Sequence, residues 1–370
     1  MAIITEIKKS HPEAEIRFIT DKRFFVFSSE KMKPLGISVS KVSAGKFRRY
    51  ANLKWYDHFK HIFISYIPNL VDVFKFFIGF LQSLCKIIIF RPDVVFSKGG
   101  YVGLPVGLAA SILRRPLVIH DSDAIPGLTN RILGKYAIKI GLGMPQENSN
   151  YDKSKTEYVG IPIDERYSKT SEKEKAILRK KYIDASNLPV ILALGGSLGS
   201  RVINEEVVEA YPDIKGKAEV FLVTGNDHYT SVKSVIDNNK RKYLGLRILP
   251  FISGEIFFDL MGLSDIVITR AGATTIAELA AGHKPTIIIP SPYLASDHQS
   301  KNAELLAESD AAIIIKQENL KQDFTVKINE LIDSKQMRGN LGDNIHKFAS
   351  NNAAEKMAKI IIGAGKNAKK

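Results

Sequence analysis

The chain has 370 residues, 45% of them apolar, one cysteine (Cys85) and a formal net charge of +14. This length predicts two domains with separate cores, and a single cysteine excludes an internal disulfide, as expected for a reducing, cytoplasmic setting. No Cys/His cluster has zinc-ligand spacing, no secretory signal opens the chain, and no uninterrupted apolar stretch is predicted to span a bilayer. The positive charge indicates a polyanionic partner, either nucleic acid or anionic lipid headgroups.

The segment from Phe59 to Phe90 carries apolar residues at helical spacing, with Lys60, Lys75, Lys86 and Arg91 beside that face. The apolar residues are Phe63, Ile64, Ile67, Leu70, Val71, Phe74, Phe77, Ile78, Leu81 and Leu84. This pattern fits a helix that lies in a membrane interface, and it also fits a core helix with ordinary surface lysines. Both interpretations stay open at the level of the pattern.

One strand–turn–helix–strand unit occurs twice, because residues 93–101 can be laid over residues 265–273 position by position. After each copy come a small-residue helix, a basic–proline pair and an apolar strand. The repeat predicts two α/β domains of similar topology with mostly parallel sheets, and it favours a site in the cleft between them. Other predicted strands are Glu15–Ile19, Val190–Leu194, Val220–Val223 and Arg247–Leu249. The polar stretch Asp164–Lys181 is expected to join the domains, and Ala364–Lys370 to be disordered.

The second copy of the unit has the pattern of a phosphate site. The apolar strand Ile266–Ile268 runs into Arg270 and then into a helix that starts with small residues, Ala271–Thr274. Backbone N–H groups and the helix dipole converge at such a start, so a diphosphate could approach it closely. Glu278, one turn further, could accept hydrogen bonds from a ribose diol.

A second glycine-rich turn, Gly195–Ser200, follows the strand Val190–Leu194 and precedes a helix from about Val202. If this turn binds a phosphate, Ser197 would donate hydrogen bonds to it from its hydroxyl and its backbone N–H. The same letters satisfy the G-x-S-x-G nucleophile pattern of α/β hydrolases, with Asp265 or Asp297 as acid and His298 as base. That alternative would leave the other glycine turns without a role.

A third turn, His120–Asn130, follows the strand Leu117–Ile119. His120 could act as a base or bind an acceptor phosphate, although a histidine at a strand end is commonly structural. The acidic residues of Asp121–Asp123 could chelate a divalent ion, but capping of the next helix is the preferred interpretation. Gln299, after Asp297 and His298, has the donors and the acceptor needed to read sugar hydroxyls.

Five motifs together resemble the peptidoglycan N-acetylglucosaminyltransferase family that makes lipid II, over nearly the whole chain. In chain order they read G-G-Y-V-G-L-P, H-D-S-D-A-I-P-G-L-T-N, G-G-S-L-G-S, R-A-G-A-T-T-I-A-E and D-H-Q-S-K-N-A. The resemblance implies an α/β GT-B fold, two Rossmann-like domains whose mostly parallel sheets face each other across a cleft. The expected domains are 1–163 on the acceptor side and 164–345 for the UDP-sugar, with 346–370 a helix that returns to the first domain plus a basic tail.

The reaction implied by the resemblance is inverting transfer of N-acetylglucosamine from UDP-N-acetylglucosamine to the 4-hydroxyl of the muramyl sugar of lipid I. No metal or other cofactor is implied, and the partners are these substrates and an anionic membrane surface rather than nucleic acid. His120 is the motif residue to which the resemblance gives the role of base toward the acceptor hydroxyl. The donor residues carried across are Ser197, Ile252, Arg270, Ala273, Thr274, Thr275, Ile276, Ala277, Glu278 and Gln299. Tyr101, Asp123, Asn130 and Asn204 match other polar positions of the cleft.

The chain also departs from the family's pattern. The family opens with a strand and a G-G-T-G-G-H turn that binds the acceptor pyrophosphate, whereas residues 1 to about 16 are similar to the helix and strand after it. We expect that the chain begins at an internal methionine; the alternative is a nucleotide-sugar-binding protein impaired in catalysis. Asp123 stands where the family has an amide, and Asp164 where it has a donor-side arginine for which Arg166 is the nearest substitute.

Overall fold

A computed structural model describes residues 1–46, 67–144, 151–183, 186–196, 199–292 and 297–367. Its contacts form two compact units. The first takes in Met1–Pro162 and Asn351–Lys370, and the second takes in Ile163–Pro292 and Asp297–Ser350. The chain therefore passes from one unit to the other between Pro162 and Ile163, and again near residue 350.

The helices and strands alternate along most of the described chain, as an α/β protein requires. The helices are α1 (Ala2–Ser10), α2 (Phe25–Met32), α3 (Ile67–Phe90), α4 (Gly103–Ile112), α5 (Leu128–Leu133), α6 (Glu172–Tyr182), α7 (Arg201–Ile214), α8 (Asn226–Asp237), α9 (Glu255–Leu263), α10 (Ala273–Ala281), α11 (His298–Glu308), α12 (Leu320–Asp333), α13 (Lys335–His346) and α14 (Ala353–Asn367). The strands are β1 (Arg17–Thr20), β2 (Ser38–Lys41), β3 (Val95–Ser97), β4 (Leu117–Asp121), β5 (Lys139–Leu142), β6 (Thr156–Tyr158), β7 (Val190–Leu194), β8 (Glu219–Val223), β9 (Leu246–Leu249), β10 (Ile266–Thr269), β11 (Thr286–Ile288) and β12 (Ile313–Ile314).

All strand pairs of the described sheets are parallel, which confirms the prediction from the alternating pattern. The first unit holds a pair, β1–β2, and a four-stranded sheet in the order β3–β4–β5–β6. The second holds a six-stranded sheet in the order β12–β11–β10–β7–β8–β9. From β7 the chain moves outward through β8 and β9, and from β10 it moves the other way. Ligands bind beyond the carboxyl ends of strands at such a switch point.

The second unit is built on strands covered on both faces. All five residues of β7 and all four of β10 are buried, as short apolar runs predict for a parallel sheet. At the amino end of β10, Asp265 accepts hydrogen bonds from Lys175, Arg179 and the N–H of Val190. Because Lys175 and Arg179 lie on α6, the polar stretch expected to act as a linker instead forms a helix fastened to this sheet.

The predicted repeat is confirmed by the structure of its two copies. In the first, β3, α4 and β4 follow one another; in the second, β10, α10 and β11 do the same, and both pairs of strands are parallel neighbours. Each copy also has a buried asparagine on the next helix. Asn130 donates to the carbonyl of His120 at 3.1 Å, and Asn302 donates to that of Ala271 at 3.0 Å. These bonds hold loops at the carboxyl edge of each sheet.

The C-terminal segment belongs to the first unit, where α14 packs on α1. Ile3 and Ile7 of α1 share an apolar cluster with Met357 and Ile361 of α14. The prediction that disorder begins at Ala364 is wrong, since α14 continues to Asn367 and Ala364 and Gly365 are buried. Gly365 also lies close to the segment before β3, where an added Cβ would come within 3.4 Å of the side chain of Val94.

Helix α3 exposes the apolar face that its sequence periodicity defines. Phe74 is 64% exposed, Phe77 57% and Leu81 60%, and Leu70, Val71 and Ile78 are exposed beside them. Phe63 and Ile64 lie outside the described residues. The opposite face packs on the core through Phe76, Phe80, Leu84 and Ile87. Most residues of the predicted apolar face are therefore exposed, and the interpretation that this face packs in the core is wrong for them.

No uninterrupted apolar stretch of bilayer length was expected, and among the described residues α3 comes nearest to one. The 23 residues Pro68–Phe90 of α3 are long enough to cross a bilayer, and an 18-residue window within them has a mean hydropathy of 1.9. Lys75 and Lys86 interrupt this stretch, and its other face is packed within the unit. A core helix passes the same length test, so the observation by itself is weak.

Candidate functional site

The predicted phosphate-binding turns of the second unit lie at one edge of its sheet. Strands β11, β10 and β7 are successive neighbours, and at their carboxyl ends the chain enters the loop before α11, the start of α10 and the glycine turn before α7. Ser197 and Leu198 of that turn lie outside the described residues. The turns that sequence patterns single out are thus brought to the switch point of a doubly wound sheet.

The N-terminus of α10 is suited to an anion. Gly272 precedes the helix, and no side chain of the described residues caps the free N–H groups of its first turn. Ala273 is buried and Thr274 exposed, so no bulky side chain stands over these groups. Unsatisfied N–H groups and the helix dipole favour negative charge at this position. Further along α10, Ile276 and Ala277 are buried, so their side chains anchor the helix.

The glycine turn needs the backbone freedom of glycine. Gly196 has φ 78° and Gly199 φ 77°, in the left-handed region that other residues rarely adopt. Gly199 also lies against the next loop, where a Cβ would overlap the carbonyl oxygen of Thr224. Ser200 then caps α7 by accepting from the N–H of Ile203 at 3.4 Å. The described end of the turn, Gly199 and Ser200, is therefore a closely packed helix start.

Arg270 fastens these turns to one another. Its Nη1 donates to the carbonyls of Ile289 (3.0 Å) and Pro290 (3.2 Å) and to Oε1 of Gln317 (2.9 Å). Its Nη2 donates to Oγ of Ser200 at 2.8 Å. Burial lowers the pKa of this guanidinium. Through these bonds the guanidinium positions the ends of β10 and β11 and the cap of α7.

The remaining donor-side residues occupy the same edge with different partners. Gln299, in the first turn of α11, accepts at Oε1 from the N–H of Ser291 at 2.9 Å. Ile252 is half-buried in the loop between β9 and α9. Asn204 is buried on α7 and donates to the carbonyl of Thr224 at 3.0 Å. The amide nitrogen of Asn204 therefore holds the loop after β8, while its buried Oδ1 has no hydrogen-bond partner among the described residues.

Glu278 faces a residue that follows the boundary between the two units. The phenol of Tyr167, at the end of a 3₁₀ turn Glu165–Tyr167, donates a hydrogen bond to its carboxylate. Arg166, the nearest candidate for the missing donor-side arginine, is paired with Asp164 at 2.9 and 2.8 Å and lies 3.8 Å above the ring of Phe258. The side chains of Glu278 and Arg166 are thus held by partners within the second unit.

His120, predicted as the catalytic base, is fully buried in the first unit. Its Nε2 donates to the carbonyl of Gly160 at 2.9 Å, and its Nδ1 accepts from Oγ of Ser122 at 3.2 Å. Burial lowers the pKa of this imidazole to about 4. Both ring nitrogens are bonded within the protein, and the ring joins β4 to the segment after β6.

Other predicted residues of the first unit gather at the carboxyl ends of β3 and β4. Tyr101 donates to Oδ2 of Asp21 at 2.5 Å, and burial and this bond raise its pKa to about 12. Asn130 packs against Gly99, which has φ 87°. Asp123 is half-buried in the loop after β4, and Asp121 accepts from Tyr151 at 2.7 Å. The bond between Tyr101 and Asp21 joins the loop after β3 to the loop after β1.

In the alternative α/β-hydrolase interpretation, Asp265 is excluded as the acid of the catalytic triad. Asp265 precedes β10, whereas Ser197 follows the parallel neighbour β7, so they belong to opposite edges of the sheet. Asp265 is also engaged by Lys175 and Arg179. A strand of four residues separates such edges by about 13 Å, which is too far for a catalytic triad.

The sequence motifs did not single out two residues that contact candidate site residues. Asp21 and Tyr167 lie outside all five motifs, yet their partners Tyr101 and Glu278 lie within them. Their positions in the sequence gave one indication of a role. Asp21 is a polar residue that follows the end of a strand, and Tyr167 follows the domain boundary. Such hints are common to many residues that have no role.

Two family models match the chain. The glycosyltransferase family 28 N-terminal domain matches residues 1–142, and the glycosyltransferase family 28 C-terminal domain matches residues 190–360. Among curated relatives, a protein of Listeria welshimeri is 30% identical over 98% of this chain and 94% of its own length. One of Acetivibrio thermocellus is 31% identical over 99% and 94%. Both are named UDP-N-acetylglucosamine–N-acetylmuramyl-(pentapeptide) pyrophosphoryl-undecaprenol N-acetylglucosamine transferase.

Solved structures show the same fold. The crystal structure of Acinetobacter baumannii MurG superimposes with a TM-score of 0.70 at 21% identity, over 98% of this chain and 94% of that one. Anabaena HepE in complex with UDP gives 0.63 at 15% identity, over 98% and 95%. At these identities the likeness concerns the fold, two nucleotide-fold units of the GT-B type.

Proposed function

Since this chain belongs to glycosyltransferase family 28, we propose that it transfers N-acetylglucosamine from UDP-N-acetylglucosamine to lipid I, which yields lipid II. The observation that carries the proposal is the open N-terminus of α10 beside the glycine turn, at the switch point of the second unit. Relatives that span nearly the whole chain and are named for this transfer support it. The product is a building block of peptidoglycan.

The second unit would bind the donor by main-chain dipoles. Negative charge accumulates on the diphosphate as UDP leaves, and the anomeric carbon gains oxocarbenium character. The N-termini of α7 and α10 would stabilise that charge, with Ser197 and the backbone from Ala273 to Thr275 as the contacting groups. Glu278 would accept from the ribose hydroxyls, Ile252 would contact the uracil, and Gln299 would contact the sugar through its amide.

The first unit would bind the acceptor. Tyr101, held by Asp21 at the end of β3, would face the muramyl sugar, with Asp123 and Asn130 shaping the loops around it. The attacking hydroxyl must lose a proton, and such proton transfer typically contributes about 10²–10⁴-fold to the rate. Because both nitrogens of His120 are bonded inside the protein, we assign His120 to the support of this surface.

Incubation with labelled UDP-N-acetylglucosamine and lipid I is expected to give labelled lipid II, measured by chromatography of the lipid fraction. The Ser197→Ala variant should keep part of this activity, because backbone dipoles carry most of the phosphate binding. Binding of UDP-N-acetylglucosamine without any transfer would instead support a nucleotide-sugar-binding protein. Ester hydrolysis that disappears in Ser197→Ala would support the hydrolase.

A peripheral site on the cytoplasmic face of the membrane is part of this proposal, and the exposed face of α3 supports it. Residues 1–162 and 351–370 hold 29 Lys and Arg against 14 Asp and Glu, whereas residues 163–350 hold 24 against 25. The excess positive charge therefore belongs to the unit that carries the exposed Phe74 and Phe77. Apolar side chains on a basic surface suit an interface with anionic lipids better than nucleic acid.

The double variant Phe74→Ser/Phe77→Ser is expected to bind anionic liposomes at least about tenfold more weakly, because each Phe buried in the interface contributes about 1.5 kcal/mol. Co-sedimentation with vesicles of anionic and of neutral lipid measures the change. Ile177→Ser is the control, since Ile177 is 66% exposed on the second unit. Equal binding of both proteins would remove α3 as the docking surface.

A further inference from the structure

The carboxylate assigned to the ribose is held by a phenol from another part of the second unit. Tyr167 and Glu278 are 111 positions apart in sequence, and the Tyr167 hydroxyl donates to the Glu278 side chain. Tyr167 ends the 3₁₀ turn that opens the second unit, while Glu278 lies on α10, whose N-terminus is the proposed phosphate site. The bond therefore connects the start of the unit to the nucleotide-binding helix.

The ring of Tyr167 is fixed by aromatic neighbours. Its centroid lies 4.7 Å from that of Phe258 and 6.3 Å from that of Phe257, the latter in an edge-to-face arrangement. The guanidinium of Arg166 covers the ring of Phe258 at 3.8 Å and is held in turn by Asp164. Such contacts stabilise a single ring orientation, so the hydroxyl reaches Glu278 from a defined direction.

The direction of the hydrogen bond follows from the protonation states. Burial, and then the negative charge of Glu278, raise the pKa of Tyr167, so the phenol keeps its proton and acts as donor. An ionised carboxylate offers about four acceptor sites on its two oxygens. One phenol donor fixes the plane of the group and leaves acceptor sites for the hydroxyls of a ribose.

We propose that Tyr167 is a positioning residue for ribose recognition, which orients the Glu278 carboxylate and thereby gives the site its preference for UDP over dUDP. The inference rests on the proposed function, because it needs a uridine nucleotide at α10. A carboxylate held ready for a diol gains a hydrogen bond from the 2′-hydroxyl that dUDP cannot supply. Without the phenol, the carboxylate can rotate and must be ordered on binding, which weakens the contribution of that hydroxyl.

Calorimetry with UDP and with dUDP tests the proposal on the full chain. Tyr167→Phe keeps the ring and removes the hydroxyl; it is expected to bind UDP about five- to tenfold more weakly while the affinity for dUDP hardly changes. Glu278→Ala should remove the preference altogether, and the double variant should lose no more than Glu278→Ala alone. Tyr182→Phe is the matched control, because Tyr182 donates to the carboxylate of Asp259 in the same unit at 2.8 Å.

The possible outcomes distinguish a failure of this inference from a failure of the proposed transferase function. An unchanged ratio of UDP to dUDP affinity in Tyr167→Phe, or an equal loss for both nucleotides, would overturn the role of Tyr167 and leave the transferase proposal intact. Failure of the unsubstituted chain to bind UDP would overturn both. A reduced ratio in Tyr167→Phe, with the ratio preserved in Tyr182→Phe, supports the inference.

Discussion

Replacement of Arg270 by alanine is expected to lower the free energy of unfolding by about 3–5 kcal/mol and to weaken UDP binding at least about tenfold. The guanidinium donates to two backbone carbonyls, to Gln317 and to Ser200. Its removal leaves these acceptors without their donor at a partly buried edge, where each lost bond to a charged group costs about 1.5–3 kcal/mol. Urea denaturation and calorimetry measure the two effects.

Binding should suffer together with stability because Arg270 acts on both phosphate-binding helices. It lies three residues before the first residue of α10, and it bonds to Ser200, the cap of α7. Arg270→Lys should restore little, since one ammonium cannot reach the four acceptors that a planar guanidinium serves. Arg201→Ala is the control: that side chain is exposed and pairs with Glu205 on the same helix. Unaltered UDP affinity in a folded Arg270→Ala would contradict the positioning role.

Gly199→Ala is expected to destabilise the second unit by about 3 kcal/mol or more, several times the effect of Gly196→Ala. Both glycines have nearly the same left-handed backbone, with φ of 77° and 78°, so both substitutions carry the backbone cost of about 1 kcal/mol. The difference lies in the space available. A Cβ at Gly199 would overlap the carbonyl oxygen of Thr224, whereas one at Gly196 meets no atom of the described residues within 4 Å.

This pair of variants separates backbone strain from packing. Relief of the overlap at Gly199 must move the loop after β8 or the cap of α7, so UDP affinity should fall with stability. Denaturant midpoints of the two variants, compared at equal m-values, measure the difference. If Gly199→Ala were no more destabilising than Gly196→Ala, the close approach of the glycine turn to Thr224 would have no energetic importance.

Local sequence patterns predicted the elements well where the element itself is buried. Val190–Leu194 was expected as a strand and is one, residue for residue, because a short apolar run between turns fits only a strand covered on both faces. The repeat of residues 93–101 at 265–273 gave the two similar units, and the glycine turns appeared at strand ends. Five motifs in a fixed order then indicated the family, which the family models and relatives confirm.

Side-chain roles were predicted less well when they depended on a partner far away in the chain. His120 matches a motif, but its ring is closed off by Gly160, 40 residues later. Arg270 also matches a motif, and its guanidinium bonds to Ser200 and Gln317, which lie 70 and 47 residues away in the sequence. A motif specifies which residue stands at a strand end, while the neighbouring strands and loops decide where its side chain points.

The amino-acid sequence alone therefore determined the fold class, the two-unit plan and the glycine turns at the helix starts, because hydrophobic periodicity and glycine turns are local properties. Only the tertiary structure decided which face of α3 is exposed, that His120 is buried, and that Tyr167 bonds to Glu278. Those three observations depend on contacts between segments that are far apart in the sequence. Periodicity marks a helix as two-faced, but the packing of α4 against it selects the face that remains in contact with the surroundings.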